Sequence, residues 1–216
     1  SNDYAASQVP AILRSIQAYH MDTNGWSDIA YNFLVDRFWT IWEGRGGGMG
    51  NAVIGAHAMG FNTGSVGVSV IGNFAGVSAP SASLEAVARV VGWRLEAYGV
   101  NPLGASNFTS GGSTSIPAGQ VVYRSHVIGH QEVGATSCPG SIQGSLGWVR
   151  NRARNWFDWT AAMHNPIGRV DGVTGGKGVI TTSGFAYDPD TSAPIEVILI
   201  VGGKWYPVTA DRSRPD

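Results

Sequence analysis

The sequence predicts an α/β chain, a mixed central β-sheet flanked by about three helices and followed by a short all-β C-terminal segment. Apolar residues recur at three-and-four spacing over 7–22, 81–98 and 142–156, the period of a helix with one buried face. Short runs rich in Val, Ile and aromatic residues stand between them, at 31–35, 40–43, 66–71 and 121–128. Beyond Trp159 the helical period stops, and runs at 178–187 and 195–201 follow a linker-like Asn165-Pro166.

The first helix carries Val9, Ile12, Leu13, Ile16 and Tyr19 on one face, with Ser7 as its expected N-cap and Pro10 in its first turn. His20 ends it, where an imidazolium would suit the helix dipole. Gly25-Trp26-Ser27-Asp28 breaks the helix, and 31–35 reads as a strand. A turn around Asp36-Arg37 then returns the chain through 40–43 as an antiparallel partner. The stretch from Gly44 to Gly50 is nearly all glycine but lacks the Gly-Lys-Ser/Thr ending of a phosphate loop, so it reads as a flexible cleft rim. His57, Asn62 and Ser65 occupy the next loop, before a strand at 66–71.

A second helix over 81–98 presents Leu84, Val87, Val91, Leu95 and Tyr98. The Gly/Ser/Thr/Pro stretch 101–120 reads as a long loop. Within it Asn107-Phe108-Thr109 fits the N-glycosylation pattern, a match that chance also supplies. Residues 121–128 read as a buried strand delivering His130. The third helix has Ile142, Leu146, Val149, Ala153 and Trp156 as its stripe, with Arg150, Arg152 and Arg154 as a solvated face or, alternatively, a basic binding patch. In the C-terminal segment Gly202-Gly203 signals a hairpin with 204–208 as return strand. Asp188 and Asp190 read as an ordinary turn, since a calcium loop needs further ligands at suitable spacing. Two domains are expected, 1–160 and 165–216.

Composition bounds the function. Only 13% of the 216 residues are charged, against about 25% in typical domains. The 31 glycines and 8 tryptophans suggest loops and aromatic surface, as in glycan-facing clefts and many secreted domains. A net charge of -1 supplies no electrostatic reason for nucleic acid or an anionic membrane as partner. No apolar run approaches the ~20 residues of a membrane span. The single cysteine excludes an internal disulfide, leaving Cys138 free, metal-bound or paired with another chain.

That cysteine stands eight residues after a histidine in the segment 129–140, Gly-His-Gln-Glu-Val-Gly-Ala-Thr-Ser-Cys-Pro-Gly. A neutral imidazole and a thiolate are both zinc ligands, and a loop leaving a strand end can fold one back beside the other. By spacing alone, a satisfied core histidine and an inert thiol fit as well.

The segment resembles the zinc-ligand signature of the peptidoglycan recognition protein and type 2 N-acetylmuramoyl-L-alanine amidase family, where a His opens the stretch and Thr-x-Cys-Pro-Gly closes it. Three further matches follow the family's order. They are His20-Met21 with Gly25-Trp26-Ser27-Asp28-Ile29-Ala30-Tyr31-Asn32-Phe33, then Ile41-Trp42-Glu43-Gly44-Arg45, then Gly55-Ala56-His57 with Gly60-Phe61-Asn62 and Ser65-Val66-Gly67-Val68. Together they cover about residues 5–157.

The resemblance implies that His130 and Cys138 are ligands of a Zn2+ ion. It implies that Tyr31 and Thr136 are catalytic, hydrogen-bonding the attacking water or the tetrahedral oxyanion. His57 and Asn62 would line the groove and hydrogen-bond the muropeptide, and His20 would help shape the site. Glu132 is expected to hold a ligand or the loop rather than act as base. For each residue a structural role stays open beside the functional one: a packed aromatic for Tyr31, a turn for Asn62, a surface imidazole for His57. The family's first ligand is a His on a strand preceding the first helix, whereas this sequence starts at Ser1-Asn2-Asp3-Tyr4 and has no histidine before His20. A fragment lacking its first strand is therefore expected.

The implied activity is zinc-dependent hydrolysis of the amide joining the lactyl group of N-acetylmuramic acid to L-alanine in peptidoglycan. The alternative is a peptidoglycan-binding module without catalysis. The implied setting is a secreted or wall-associated bacterial protein acting as a monomer. The C-terminal segment resembles β modules that follow amidase domains in actinobacterial wall proteins, and a structural wall protein is the third reading.

Overall fold

Strand β1, Phe33–Val35, is buried along its whole length and forms the centre of a three-stranded sheet. β2, Ile41–Glu43, pairs with it antiparallel, Leu34 opposite Trp42. β3, Val68–Val70, pairs on the other side in parallel, Leu34 opposite Ser69. The mixed pairing follows from the connections: β1 and β2 are joined by a five-residue turn, whereas β1 and β3 are separated by the long glycine-rich excursion. The expected hairpin is present.

The turn is shaped by Asp36, which is 1% exposed. Its Oδ1 accepts from the N–H groups of Phe38 and Thr40 at 2.8 and 2.9 Å, and its Oδ2 from Trp42 Nε1 at 3.0 Å. Trp39 closes the turn at φ 75°, a left-handed conformation that glycine adopts without strain and a tryptophan rarely does. Its ring is covered by the Arg89 guanidinium, 5.3 Å from the ring centre.

The computed structural model describes residues 2–161, 167–176, 179–187, 194–201 and 204–210. The chain divides into two compact units, Ser1–Asp158 and Trp159–Asp216. In the first, helix α1, Val9–Ala18, packs Val9, Ile12, Leu13 and Ile16 against Leu34, Ile29 and Ile71. Each such aliphatic side chain, fully buried, contributes about 1.5–3 kcal/mol. Ser7 does not cap α1. Instead it lies in a short 3-10 turn, Ala6–Gln8, where Gln8 Oε1 accepts from the Ala5 N–H.

Helix α2, Ser81–Glu96, is covered on two faces. Leu84, Val87, Val91 and Leu95 meet Val127 and helix α3, Leu146–Ala161, through Val149, Ala153 and Trp156. Ser83, Ala86, Val90 and Arg94 are buried as well, with Ser83 Oγ donating to the Asp36 carbonyl. The stripe read from the sequence is thus one of two buried faces, and Tyr98 lies beyond the helix, exposed.

Two expectations change between α2 and α3. The stretch 101–120 contains a strand, β4, Ala105–Thr109, paired antiparallel with β5, Val121–Ser125. Its Ala and Asn residues disfavour that assignment by composition, and the cross-strand ladder with β5 overrides it. β5 is also not a buried strand: Val121 and Tyr123 are exposed while Val122 is buried, the alternation of a half-covered sheet.

Among the described residues the second unit holds two antiparallel strand pairs. β6, Ile167–Gly176, pairs with β7, Val179–Tyr187, and β8, Ile195–Val201, pairs with β9, Lys204–Ala210. Three strands were expected here. The Gly-rich β6 is the addition, recruited by pairing with β7. Asp188, Asp190, Asn165-Pro166 and the expected Gly202-Gly203 turn lie outside the described residues.

Candidate active site

Tyr31 is presented immediately before β1, and its ring stacks on His57 at 6.3 Å between centres. His20 lies 6.4 Å from Tyr31 and 5.0 Å from Trp26. The row Trp26, His20, Tyr31, His57 is assembled from four separate points of the chain. Asn32 makes the assembly possible. Buried at 8% exposure, it donates from Nδ2 to the Val53 carbonyl at 2.7 Å and accepts at Oδ1 from the Gly67 N–H at 2.8 Å. One amide therefore ties both ends of the loop carrying His57 to the residue after Tyr31.

His20 is not the cation the helix-end argument suggests. It sits in a π-helical turn, Tyr19–Thr23, and its Nδ1 accepts from the Ala30 N–H at 3.2 Å. Burial, and then the charge of Arg45, lower its pKa, so the neutral imidazole holds the backbone ahead of Tyr31. The glycine-rich rim is fastened rather than flexible. Arg45 Nε donates to the Ile29 carbonyl at 3.0 Å and Nη1 to Ser27 Oγ at 3.0 Å, while the Gly46 N–H donates to Asp28 Oδ2 at 2.8 Å.

His57 is half-buried. Its Nε2 lies 3.3 Å from Ser65 Oγ, which donates to the Phe61 carbonyl. Nδ1 is buried without a hydrogen-bond partner among the described residues. Burial, opposed by the nearby Ala30 carbonyl and assisted by His130 and Arg45, brings its pKa down to about 4. Asn62 uses its Oδ1 within its own turn, accepting from the Ala58 N–H at 2.8 Å. That bond shapes the loop.

His130 opens a 3-10 turn, His130–Glu132. The Gln131 N–H donates to the Cys138 carbonyl at 2.8 Å, which brings the two candidate donors to one end of the loop. Burial lowers the pKa of the half-buried His130, leaving an imidazole with a free lone pair. Cys138 is exposed, and the protein around it pushes its thiol above the usual range. Thr136 Oγ1 accepts from the Cys138 N–H at 3.2 Å, which leaves its hydroxyl proton to be donated elsewhere. Electrostatic coupling joins the two halves: Cys138 acts on Tyr31, and His130 on His57. Burial first, then Cys138, raises the Tyr31 phenol, so it stays protonated at neutral pH.

His130 and Cys138 are an N and an S donor of the kinds zinc takes. Among the described residues they are not joined by a third: no group of three His, Cys, Asp or Glu stands together there. The pair fits zinc as part of a donor set that needs one more ligand.

Sequence reasoning overlooked the supports. Asn32, Asp28, Arg45 and Gln143 are polar residues whose partners lie far off in sequence, and only Asn32, inside an apolar run, was conspicuous. The three arginines of α3 are partly covered and paired. Arg150 donates to the Val127 carbonyl at 2.9 and 2.7 Å, Arg152 bridges Glu85 at 2.8 Å, and Arg154 pairs with Asp158. Neither a freely solvated face nor a basic patch describes them.

A family model described as N-acetylmuramoyl-L-alanine amidase matches residues 3–141. Peptidoglycan-recognition protein SC2 of Drosophila simulans is 32% identical over 163 residues, 74% of this chain and 72% of that protein. The human N-acetylmuramoyl-L-alanine amidase is 29% identical over 153 residues, 71% of this chain but 21% of that longer protein. Among solved structures, Drosophila PGRP-LB has a TM-score of 0.51 at 25% identity, covering 67% of this chain and 71% of that one. Bumblebee PGRP-SA has a TM-score of 0.50 at 29% identity, covering 67% and 72%. These relatives are animal proteins, so the bacterial setting expected above finds no support in them. With the site's aromatic row, its His–Cys loop and these matches together, the chain belongs to the N-acetylmuramoyl-L-alanine amidase family that includes the peptidoglycan-recognition proteins.

Proposed function

We propose that this chain is the zinc-dependent amidase of its family, hydrolysing the amide between the lactyl group of N-acetylmuramic acid and L-alanine in peptidoglycan. What supports the reading is that the Gln131 N–H bond to the Cys138 carbonyl draws the ends of the His130–Cys138 loop together, with Cys138 close enough to Tyr31 to raise its phenol. His130 and Cys138 would hold the metal with one further donor from outside the described residues. Zinc bound there supplies Lewis acidity toward the scissile carbonyl.

The other roles belong to the chain's own side chains. Tyr31 donates its phenolic proton to the oxygen that gains charge as the amide carbon becomes tetrahedral. Thr136, whose Oγ1 is already fixed by the Cys138 N–H, donates to the same oxygen. His57 and Asn62 line the groove for the muropeptide. A chain acting on this substrate works where peptidoglycan is, as a secreted monomer.

One observation favours a second reading, peptidoglycan recognition without hydrolysis: only two donors of the zinc set stand among the described residues. The test is release of new L-alanine amino termini from purified peptidoglycan, first with zinc and then with a chelator. Chelator-sensitive release is the expected result. Binding to peptidoglycan with no release under either condition would establish the recognition reading instead.

A further inference from the structure

We infer that Glu132 and Gln143 form a bridge that positions the His130–Cys138 pair, a role that rests on reading that pair as metal donors. Glu132 Oε1 accepts two hydrogen bonds, from the Gly129 N–H at 3.0 Å and from Gln143 Nε2 at 2.9 Å. Gly129 is the residue entering His130. Gln143 lies in the 3-10 turn Gly140–Ser145, which starts two residues after Cys138. One carboxylate oxygen therefore ties the backbone ahead of the first donor to the backbone behind the second. From inside the loop, the Gln131 N–H to the Cys138 carbonyl at 2.8 Å completes the tie.

The packing around the bridge leaves little play. A Cβ at Gly129 would overlap Gln143 Oε1 and stand 2.7 Å from Pro139 Cδ, so glycine alone admits the Gln143 amide there. Gln143 Oε1 is buried with no hydrogen-bond partner among the described residues. A buried carbonyl left unpaired lowers stability, and an apolar side chain of the same length would avoid that. The amide at this position serves its Nε2, which holds Glu132, at the expense of its oxygen. Arg124 Nε steadies the same turn by donating to the Glu132 carbonyl at 3.2 Å.

Outer partners of this kind typically change metal affinity by about 10–100-fold when removed. In Gln143→Met, zinc affinity is expected to fall within that range, and amide hydrogen exchange at Gly129 and Gln131 to speed up by about tenfold. The urea midpoint of unfolding stays level or rises, because the orphan oxygen is gone. Glu132→Gln keeps an oxygen for both donors and retains most of the affinity. Gln143→Met combined with Glu132→Met is no worse than the worse single variant, the non-additivity of two ends of one link.

Unchanged exchange at both amides in Gln143→Met overturns the bridge, whether or not zinc binds. Faster exchange that merely follows a lowered unfolding midpoint also overturns it, by reducing Gln143 to a structural residue. Failure of the unaltered chain to take up zinc defeats the amidase reading, while the exchange measurement still decides the bridge.

Discussion

Tyr31 can be probed without disturbing its stack. Tyr31→Phe keeps the ring against His57 and removes only the hydroxyl. Loss of one preorganised donor to a tetrahedral oxyanion costs about 10²–10³-fold in turnover. The expected outcome is such a loss of L-alanine release with zinc content unchanged, measured by turnover assay alongside metal analysis. His57 makes a different prediction, about pH. Its folded pKa of about 4 lies below its ordinary value of 6.5, so between these values the unfolded chain binds the extra proton. Stability from this group is complete above about pH 6.5 and is lost as pH falls toward about 4, by at most about 3 kcal/mol. His20 and His130, also lowered by burial, act in the same direction. Urea unfolding across this window should show the decline, and His57→Gln should flatten it. The candidacy of Tyr31, His57, His130 and Cys138 came from the order of their motifs. The protonation states did not, because they depend on burial and on partners such as the Ala30 N–H, which no local pattern encodes.

At the scale of elements, the β1–β2 turn concentrates its energetics in Asp36. Asp36→Ala would strand the N–H groups of Phe38 and Thr40 and the Trp42 indole N–H near the sheet. Phe38 and Thr40 are exposed, so water takes up part of the loss, and the variant is expected to lose about 1–3 kcal/mol, read from urea denaturation. The same carboxylate explains how Trp39 is held at φ 75°, since two of its bonds enclose that residue. Helix positions were readable because a 3.6-residue period repeats along each of them. β4 was not readable, since Ala105-Ser106-Asn107 interrupts any strand pattern beside Phe108 and Thr109 and the segment becomes a strand only against β5. Ser7 was misassigned as a cap for a related reason: a 3-10 turn precedes α1, and Gln8 reaches back to the Ala5 N–H instead.

For the whole molecule, every candidate site residue lies in the unit Ser1–Asp158. Deleting residues 162–216 should therefore leave muropeptide affinity and turnover within about twofold. Calorimetric titration with a soluble muropeptide, run on both forms, checks this. Loss of affinity on deletion would instead bring the C-terminal strands into the function.

By itself the sequence determined the fold class, the run of helices and the hairpin, and which residue types gather into the four motifs, because periodicity and turn chemistry are local properties of the chain. Only the tertiary structure decided that Trp26, His20, Tyr31 and His57 form one row, that the glycine rim is fastened by Arg45, and that Glu132 and Gln143 join the two sides of the His130–Cys138 loop. Each of those depends on hydrogen bonds and stacking between residues brought together by burial of the core around Leu34, Val9 and Ile71. Polar partners chosen across such distances leave no periodic trace in the sequence.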